Sequence, residues 1–493
     1  MRGRDDATSA DGRRLLAGWG RTAPSLAQVR RIDRVADAER LLRSPPRRGL
    51  IARGLGRAYG DAAQNSGGQV LDMRGLRAAA QPDEQGLISV GAGLSLGELI
   101  DHALPRGWFP SVVPGTRHVT IGGAIAADIH GKNHHRDGCF TRYVESLHLL
   151  TAAGNRFAVS PGGEPGVFAA TAGGMGLTGV IVQATLRLMP VETSWMKAHT
   201  ARLRDLDQAL AEMASGDDDH RYSVAWIDCL ARGAALGRSV LIRGDHAAEN
   251  DLPSSRRAPA PSPLPRARLV APPWAPSGLL RRSTVAAFNE LYFHRSPRVA
   301  SERLVPLHSF FFPLDAVEGW NRLYGWRGLL QYQFVVPFGA EAGLRRALEL
   351  LSAHGAPAFL AVLKRFGPGG SPEAAWPNRA TPGPGHTALG PDHPTLSFPM
   401  GGWTLALDLP ATPDLGPVLG QLDELVARSG GRVYLAKDSR LRPELLEAMY
   451  PQLAQWQEVC ARLDPGGVMR SDLGRRLGLH QDAAARATPN GRR

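Results

Sequence analysis

Hydrophobic positions in the first part of the chain come in short runs separated by glycine-rich turns, the texture of strands and helices in alternation. Leu50, Ile51 and Ala52 form an apolar strand that runs into the glycine loop Arg53-Gly54-Leu55-Gly56-Arg57-Ala58-Tyr59-Gly60-Asp61. Further strands are predicted at residues 70–73 and 87–90, and residues 178–186 alternate apolar and polar like a half-buried strand. Ser95 and Glu98 have the spacing of a capping box, and Leu99, Ile100 and Ala103 continue an amphipathic helix behind it. Residues 148–160 place a Gly-Asn turn between two apolar runs, which predicts a hairpin.

Beyond about Pro190 the pattern changes. Strands and helices are interrupted at residues 252–276, which hold eight prolines, and at residues 367–394, which hold seven prolines and six glycines. Both are expected to be mobile surface loops, since such composition builds no core of its own. Ordered pattern resumes from Gly431 to about Leu479, and a frayed tail is expected from residue 481. At 493 residues the chain is too long for one ordinary core. No run of 18 apolar residues exists, and the charged N-terminus has no signal-peptide core, so a cytoplasmic chain is expected.

The net charge of +12 invites a nucleic-acid or anionic-surface reading, but the basic residues are scattered and carry no interleaved aromatic platform. How that charge is written says more: there are 54 arginines and only four lysines, Lys132, Lys197, Lys364 and Lys437. A lysine here is an exception, and an exception inside a motif suggests a compact, titratable ammonium. Cys139, Cys229 and Cys460 lie far apart, which argues against a disulfide framework or a cysteine-built zinc site.

Three glycine clusters, at 54–60, 122–123 and 173–179, allow close backbone approach by an extended dinucleotide; they read equally as turns in a glycine-rich chain. The first is not the Rossmann spacing, because Tyr59 stands where the third glycine would be, and no GK[ST] follows to make a P-loop. The run Asp128-Ile129-His130-Gly131-Lys132-Asn133-His134-His135 is open to a metal reading. Without a carboxylate cluster, a redox or anion site is favoured and no metal is expected.

Taken in order, GWGRTAPS (18–25), ARGLGRAYGD (52–61), PGTRHVTIGGAIAADIHGKNHH (114–135), GLTG (176–179), QYQFVVP (331–337), LSFPMGGW (396–403) and AKDSR (436–440) resemble one flavoprotein family. It is the FAD-binding family of vanillyl-alcohol oxidase, or PCMH, type, and within it the decaprenylphosphoryl-β-D-ribose 2-oxidases. The resemblance covers nearly the whole chain. It implies an α+β fold: a two-subdomain FAD-binding domain, residues 1–193 completed by 431–493, around a substrate domain, residues 194–430, with an antiparallel sheet flanked by helices.

By motif matching, the resemblance implies non-covalent FAD held by Ala52, Arg53, Gly54, Leu55, Gly56, Arg57, Ala58, Tyr59, Gly60, Asp61 and Ala62. To these it adds Gly115, Thr120, Ile121, Gly122, Gly123, Ala127, Asp128, Ile129, His130, Ile181 and Tyr434. Many relatives tether flavin through a histidine or cysteine; this subfamily does not, so His130 need not be a tether. Lys132, Trp226, Gln331, Gln333, Lys364 and Lys437 match substrate-facing positions.

The implied reaction is oxidation of the ribose C2 hydroxyl of a polyprenyl-phosphate pentose to the 2-keto sugar, the first half of an epimerisation toward cell-wall arabinan. Lys437 is the first choice for the base that takes the hydroxyl proton and His130 the second. The implied partners are the lipid-linked substrate, a reductase that completes the epimerisation, and quinone or oxygen as electron acceptor. No nucleic acid is expected, and peripheral membrane contact is, with a periplasmic face left open. Four positions depart from the family pattern: Thr404 for asparagine, Ala406 for cysteine, Phe311 for tyrosine and Ala361 for asparagine. An FAD oxidase of a soluble sugar, alditol or aldonolactone is the competing enzyme, and a basic binding protein without catalysis the third reading.

Overall fold

The computed structural model describes residues 12–367 and 395–480, apart from residues 165, 258, 259, 266, 268, 273, 274 and 277. Most of the second proline-rich segment and the tail from 481 lie outside the described residues. The chain opens with a four-stranded sheet made of β1 (Arg13–Leu16), β2 (Ser25–Arg31), β3 (Leu50–Arg53) and β4 (Gln69–Asp72), in the order β1-β2-β4-β3. β4 pairs parallel to both neighbours and is buried along its length, Val70 and Leu71 in the core and Gln69 and Asp72 tied to Gln28, Arg31 and Arg74.

A second, antiparallel sheet contains β5 (Leu87–Gly91), β6 (Trp108–Pro110), β7 (Val144–Leu150), β8 (Arg156–Val159) and β9 (Val180–Pro190). β7 and β8 form the hairpin expected at 148–160. The helix Leu96–Ala103 starts on the capping box: Ser95 Oγ accepts from Glu98 N while the Glu98 carboxylate accepts from Ser95 N at 2.8 Å.

The remaining strands are β10 (Trp195–Leu203), β11 (Tyr222–Ile227), β12 (Ser239–His246), β13 (Leu269–Val270), β14 (Ser301–Pro306), β15 (Val317–Glu318), β16 (Leu329–Pro337), β17 (Leu360–Phe366), β18 (Gly402–Pro410) and β19 (Arg432–Val433). All but β13 and β15 join one eight-stranded antiparallel sheet, ordered β14-β10-β12-β11-β17-β18-β16-β19. The helices Glu341–His354 and Leu415–Arg428 pack on β16 and on each other. Their apolar faces, Leu344, Leu348 and Leu351 on one and Leu419, Leu422 and Val426 on the other, recur at helical spacing and are fully buried.

The C-terminal residues return to the first sheet. Leu50 N donates to Val468 O and Arg470 N to Leu50 O, each at 2.9 Å. Asp472 accepts from Ser66 N and Ser25 Oγ, and Arg476 pairs with both Asp61 and Asp438. The described residues between 252 and 276 differ from the mobile loop expected of them. Leu252, Leu264 and Ala271 are buried, Leu264 N donates to Asp101, Ala271 N donates to Glu318 O, and β13 pairs with β15. Prolines deny such a segment a ladder of its own, yet the apolar residues between them dock on surfaces already folded.

Candidate active site

One wall of the site is backbone. Gly54, Gly56, Gly122, Gly123 and Gly176 line a cavity of about 570 Å³. A Cβ on Gly54 would lie 2.1 Å from Thr120 Oγ1, so the loop at 54 and the helix N-terminus at 120 approach as closely as only glycine permits. Thr120 Oγ1 accepts from Gly123 N and caps the helix Ile121–Ala126. The loop is held between two other segments: Trp19 N donates to Ala58 O at 2.7 Å, and Tyr59 N donates to Ala436 O at 3.0 Å. The second of these bonds sets Lys437 beside Tyr59, and its Nζ lies 4.3 Å from the centre of the Tyr59 ring.

The opposite wall is side chain, and sheet register assembles it. Because strand residues alternate faces, Trp226 on β11, Val362 and Lys364 on β17, Ala406 and Asp408 on β18, and Gln331 and Gln333 on β16 all face the cavity. Cross-strand partners bring them together: Val362 opposes Trp226 and Ala406, Lys364 opposes Thr404, Gln333 opposes Ala406, and Gln331 opposes Asp408. Ala361 is fully buried on the other face of β17, so its departure from the family pattern does not reach the cavity. Phe311 and Ala406 do line it.

His130 closes the space between the walls. It follows Asp128, a non-glycine residue at φ +39°, whose carboxylate accepts from Thr141 N, Thr141 Oγ1 and Ser397 Oγ. These bonds hold the tight turn that delivers the imidazole to the cavity. Gln333 Nε2 lies 2.9 Å from His130 Nε2, and Lys364 Nζ lies 3.5 Å from His130 Nδ1. Burial, then the charges of Lys364, His134 and Lys437, hold the ring well below the usual histidine range. The other two histidines of the run diverge: the His134 ring lies tilted against Phe366 with centroids 4.2 Å apart, and His135 Nε2 meets His220 O at 2.9 Å.

Three of the four lysines lie in this one cavity. Burial pushes Lys132 down to about 8, and burial with the charges of Lys132 and Lys437 pushes Lys364 down to about 7. Lys437 is pushed down by burial and pulled part-way back by Asp408, whose own carboxyl burial pushes up. Lys132 donates to Phe310 O, and Gln331 Nε2 donates to Asp408. Lys197 stands apart, pairing with Asp251 at 3.0 Å.

All the residues singled out as substrate-facing line the cavity. On the other wall Ala52, Arg53, Leu55, Arg57, Ala58, Tyr59, Ala62, Gly115, Thr120, Ala127, Ile129, Ile181 and Tyr434 line it with the glycines. Gly60, Asp61, Ile121 and Asp128 stand behind it. Gly60 abuts the Asp438 backbone, Asp61 pairs with Arg476, and Ile121 is in the core. Asp408 was not singled out in the sequence. Its only signal is its place two residues beyond Ala406 on the same face, in a strand that otherwise reads as buried.

A cavity with a glycine-lined backbone wall and a helix N-terminus fits the pyrophosphate of a dinucleotide, and none of these contacts needs a metal. The profile of the FAD binding domain matches residues 24–160. Fold and site therefore define an FAD-dependent oxidoreductase of PCMH type acting on a CH–OH group. The chain is 40% identical over 474 residues to the decaprenylphosphoryl-β-D-ribose oxidase of Mycolicibacterium smegmatis, covering 94% of this chain and 97% of that one. It belongs to that enzyme's family. An uncharacterised protein in the mprA 5′ region of Streptomyces coelicolor is 41% identical over 78% of this chain and all of its own length. The D-arabinono-1,4-lactone oxidase of Eremothecium gossypii is 31% identical over only 22% of this chain and 21% of its own.

Proposed function

We propose that this chain oxidises the C2 hydroxyl of the ribose in decaprenylphosphoryl-β-D-ribose, or a closely similar polyprenyl-phosphate pentose, to the 2-keto sugar. The observation that carries the reading is the wall opposite the glycines. It brings Lys364, Gln331 and Gln333 to face Lys132 and Lys437 across one cavity, a surface suited to a phosphorylated polyol. The near full-length likeness to an enzyme of that name supports it. FAD, when bound, supplies the acceptor for the hydride of a secondary alcohol. Lys437 takes the hydroxyl proton on Nζ, whose pKa burial lowers to about 8, so that a fraction stands as the free amine near neutral pH. Lys132 attracts the phosphodiester. Gln331 and Asp408 fix the sugar hydroxyls and the charge beside Lys437.

FAD is held without a covalent bond in this reading, because both ring nitrogens of His130 already face protein partners. Acid precipitation should then release yellow cofactor into the supernatant. Residues 1–193 and 431–493 form the FAD unit and 194–430 the substrate unit. The 2-keto product calls for a reductase to complete the inversion, and quinone or oxygen would take the electrons. Among the described residues no helix is long and apolar enough to cross a membrane. Peripheral contact with a membrane is supported by Phe288 and Leu291, exposed on the arginine-flanked helix Arg282–Arg295, where Phe288 also lines the cavity.

The test is product analysis. Lipid-linked ribose should yield its 2-keto derivative, while free alditols and aldonolactones should turn over poorly. Efficient oxidation of a free lactone with no action on the lipid-linked sugar would replace this reading with that of a lactone oxidase.

A further inference from the structure

A short chain of hydrogen bonds that ends on the His130 ring, beside the Gly131 carbonyl, defines where its proton sits. Thr404 Oγ1 donates its single proton to Phe334 O at 2.8 Å, so it presents a lone pair toward Gln333. Gln333 Nε2, 3.2 Å from that oxygen, answers with one of its two protons. The other proton of the same amide nitrogen points to His130 Nε2, 2.9 Å away, and an amide nitrogen has no lone pair to offer in return. His130 Nε2 must therefore accept. A neutral imidazole has one proton, which then lies on Nδ1 and faces Lys364 Nζ at 3.5 Å. An ammonium there would set donor against donor; a free amine accepts.

We propose that Thr404, acting through Gln333, fixes His130 as the Nδ1–H tautomer, which donates to Lys364 and holds that lysine as a free amine in the resting site. Thr404 is then a positioning residue, buried and off the cavity wall, at a position where this chain departs from its family's asparagine. The neighbouring lysines act in the same sense. Lys437 disfavours a second proton on the ring, and Lys132 and Lys437 disfavour one on Lys364. The arrangement also decides between the two candidate bases. Nε2 of His130 is already taken by Gln333 and Nδ1 already carries a proton, so the ring has no vacant lone pair for a substrate hydroxyl, which leaves that task to Lys437.

The experiment reads the ring directly. Holoenzyme with ¹⁵N-labelled histidine is examined by NMR without substrate, the His130 signals being assigned by their loss in His130→Gln. The expected pattern is a protonated Nδ1 and an unprotonated Nε2 at neutral pH. Gln333→Glu, whose carboxylate can only accept, should move the proton to Nε2. Thr404→Val should give a mixture of tautomers, and Thr404→Ser should restore the single form. Retained yellow flavin reports that each variant is folded, and Gln333→Glu carries the test if Thr404→Val is not. An Nε2–H ring in the unmodified protein, or a ring unchanged by Gln333→Glu, overturns the proposal. Because no sugar is present, either failure leaves the substrate reading untouched.

Discussion

The two walls of the cavity are made in different ways. The glycine wall comes mostly from two contiguous stretches, residues 52–62 and 115–130, joined by Gly176, Ile181 and Tyr434, and its backbone comes close where no Cβ intervenes. The sheet wall comes from residues scattered between 226 and 408, and its contacts are side chains matched across strands by register. The first can hold a cofactor whatever the substrate. The second can change substrate without disturbing the first, and the family departures Phe311, Thr404 and Ala406 all fall on it or directly behind it.

If that division is right, damage to each wall should look different. The largest effect belongs to Gly54→Ala, whose methyl would collide with Thr120 Oγ1 at 2.1 Å and displace the cap on Gly123. Loss of such a cap alone costs about 1 kcal/mol. The clash adds to it, and the purified protein should come out largely colourless. A fully yellow Gly54→Ala protein would show that the glycine wall is not the cofactor's.

Lys437→Arg should do the opposite, keeping its flavin while single-turnover flavin reduction falls by about 10²–10⁴. Arginine offers no titratable amine in this range and a larger planar head. Near-normal reduction would remove Lys437 from the chemistry.

Asp408→Asn should have a smaller effect, visible as a shift. If Lys437 works as the free amine, the rate rises with pH through its pKa. The Asp408 charge holds that pKa up, so removing the charge should move the midpoint to lower pH. An unmoved midpoint, with rate alone reduced, would confine Asp408 to holding Gln331.

Lys197→Arg should be nearly silent in both colour and rate, because its partially exposed pair with Asp251 is worth at most about 1 kcal/mol. A large loss there would mean that lysine scarcity in this chain says nothing about the site.

The sequence is unequally informative about the two walls, for the same physical reason. Local signals are written in local sequence: the Ser95 capping box, the 148–160 hairpin and the glycine loop after Leu50 all stand where spacing and turn residues put them. The rarity of lysine was a non-local signal that composition alone carried, and it pointed at three residues, one on β17 and two in separate turns, that meet in one cavity. Asp408 had no such marker, since an acidic residue amid apolar ones in a strand is only revealed once Gln331 is known to oppose it. The docking of residues 252–276 was hidden likewise, because proline content describes what a segment cannot build alone and not what it can lie against.

The central claim is that a C2 hydride leaves the sugar in the step that this cavity catalyses. The direct measurement is anaerobic stopped-flow bleaching of the bound flavin by polyprenyl-phosphoryl ribose, with deuterium at ribose C2 in one sample and at C3 in another. The account predicts slower bleaching with the C2 label and an unchanged rate with the C3 label. The reverse pattern, or bleaching indifferent to both labels with a free lactone bleaching faster, would contradict it.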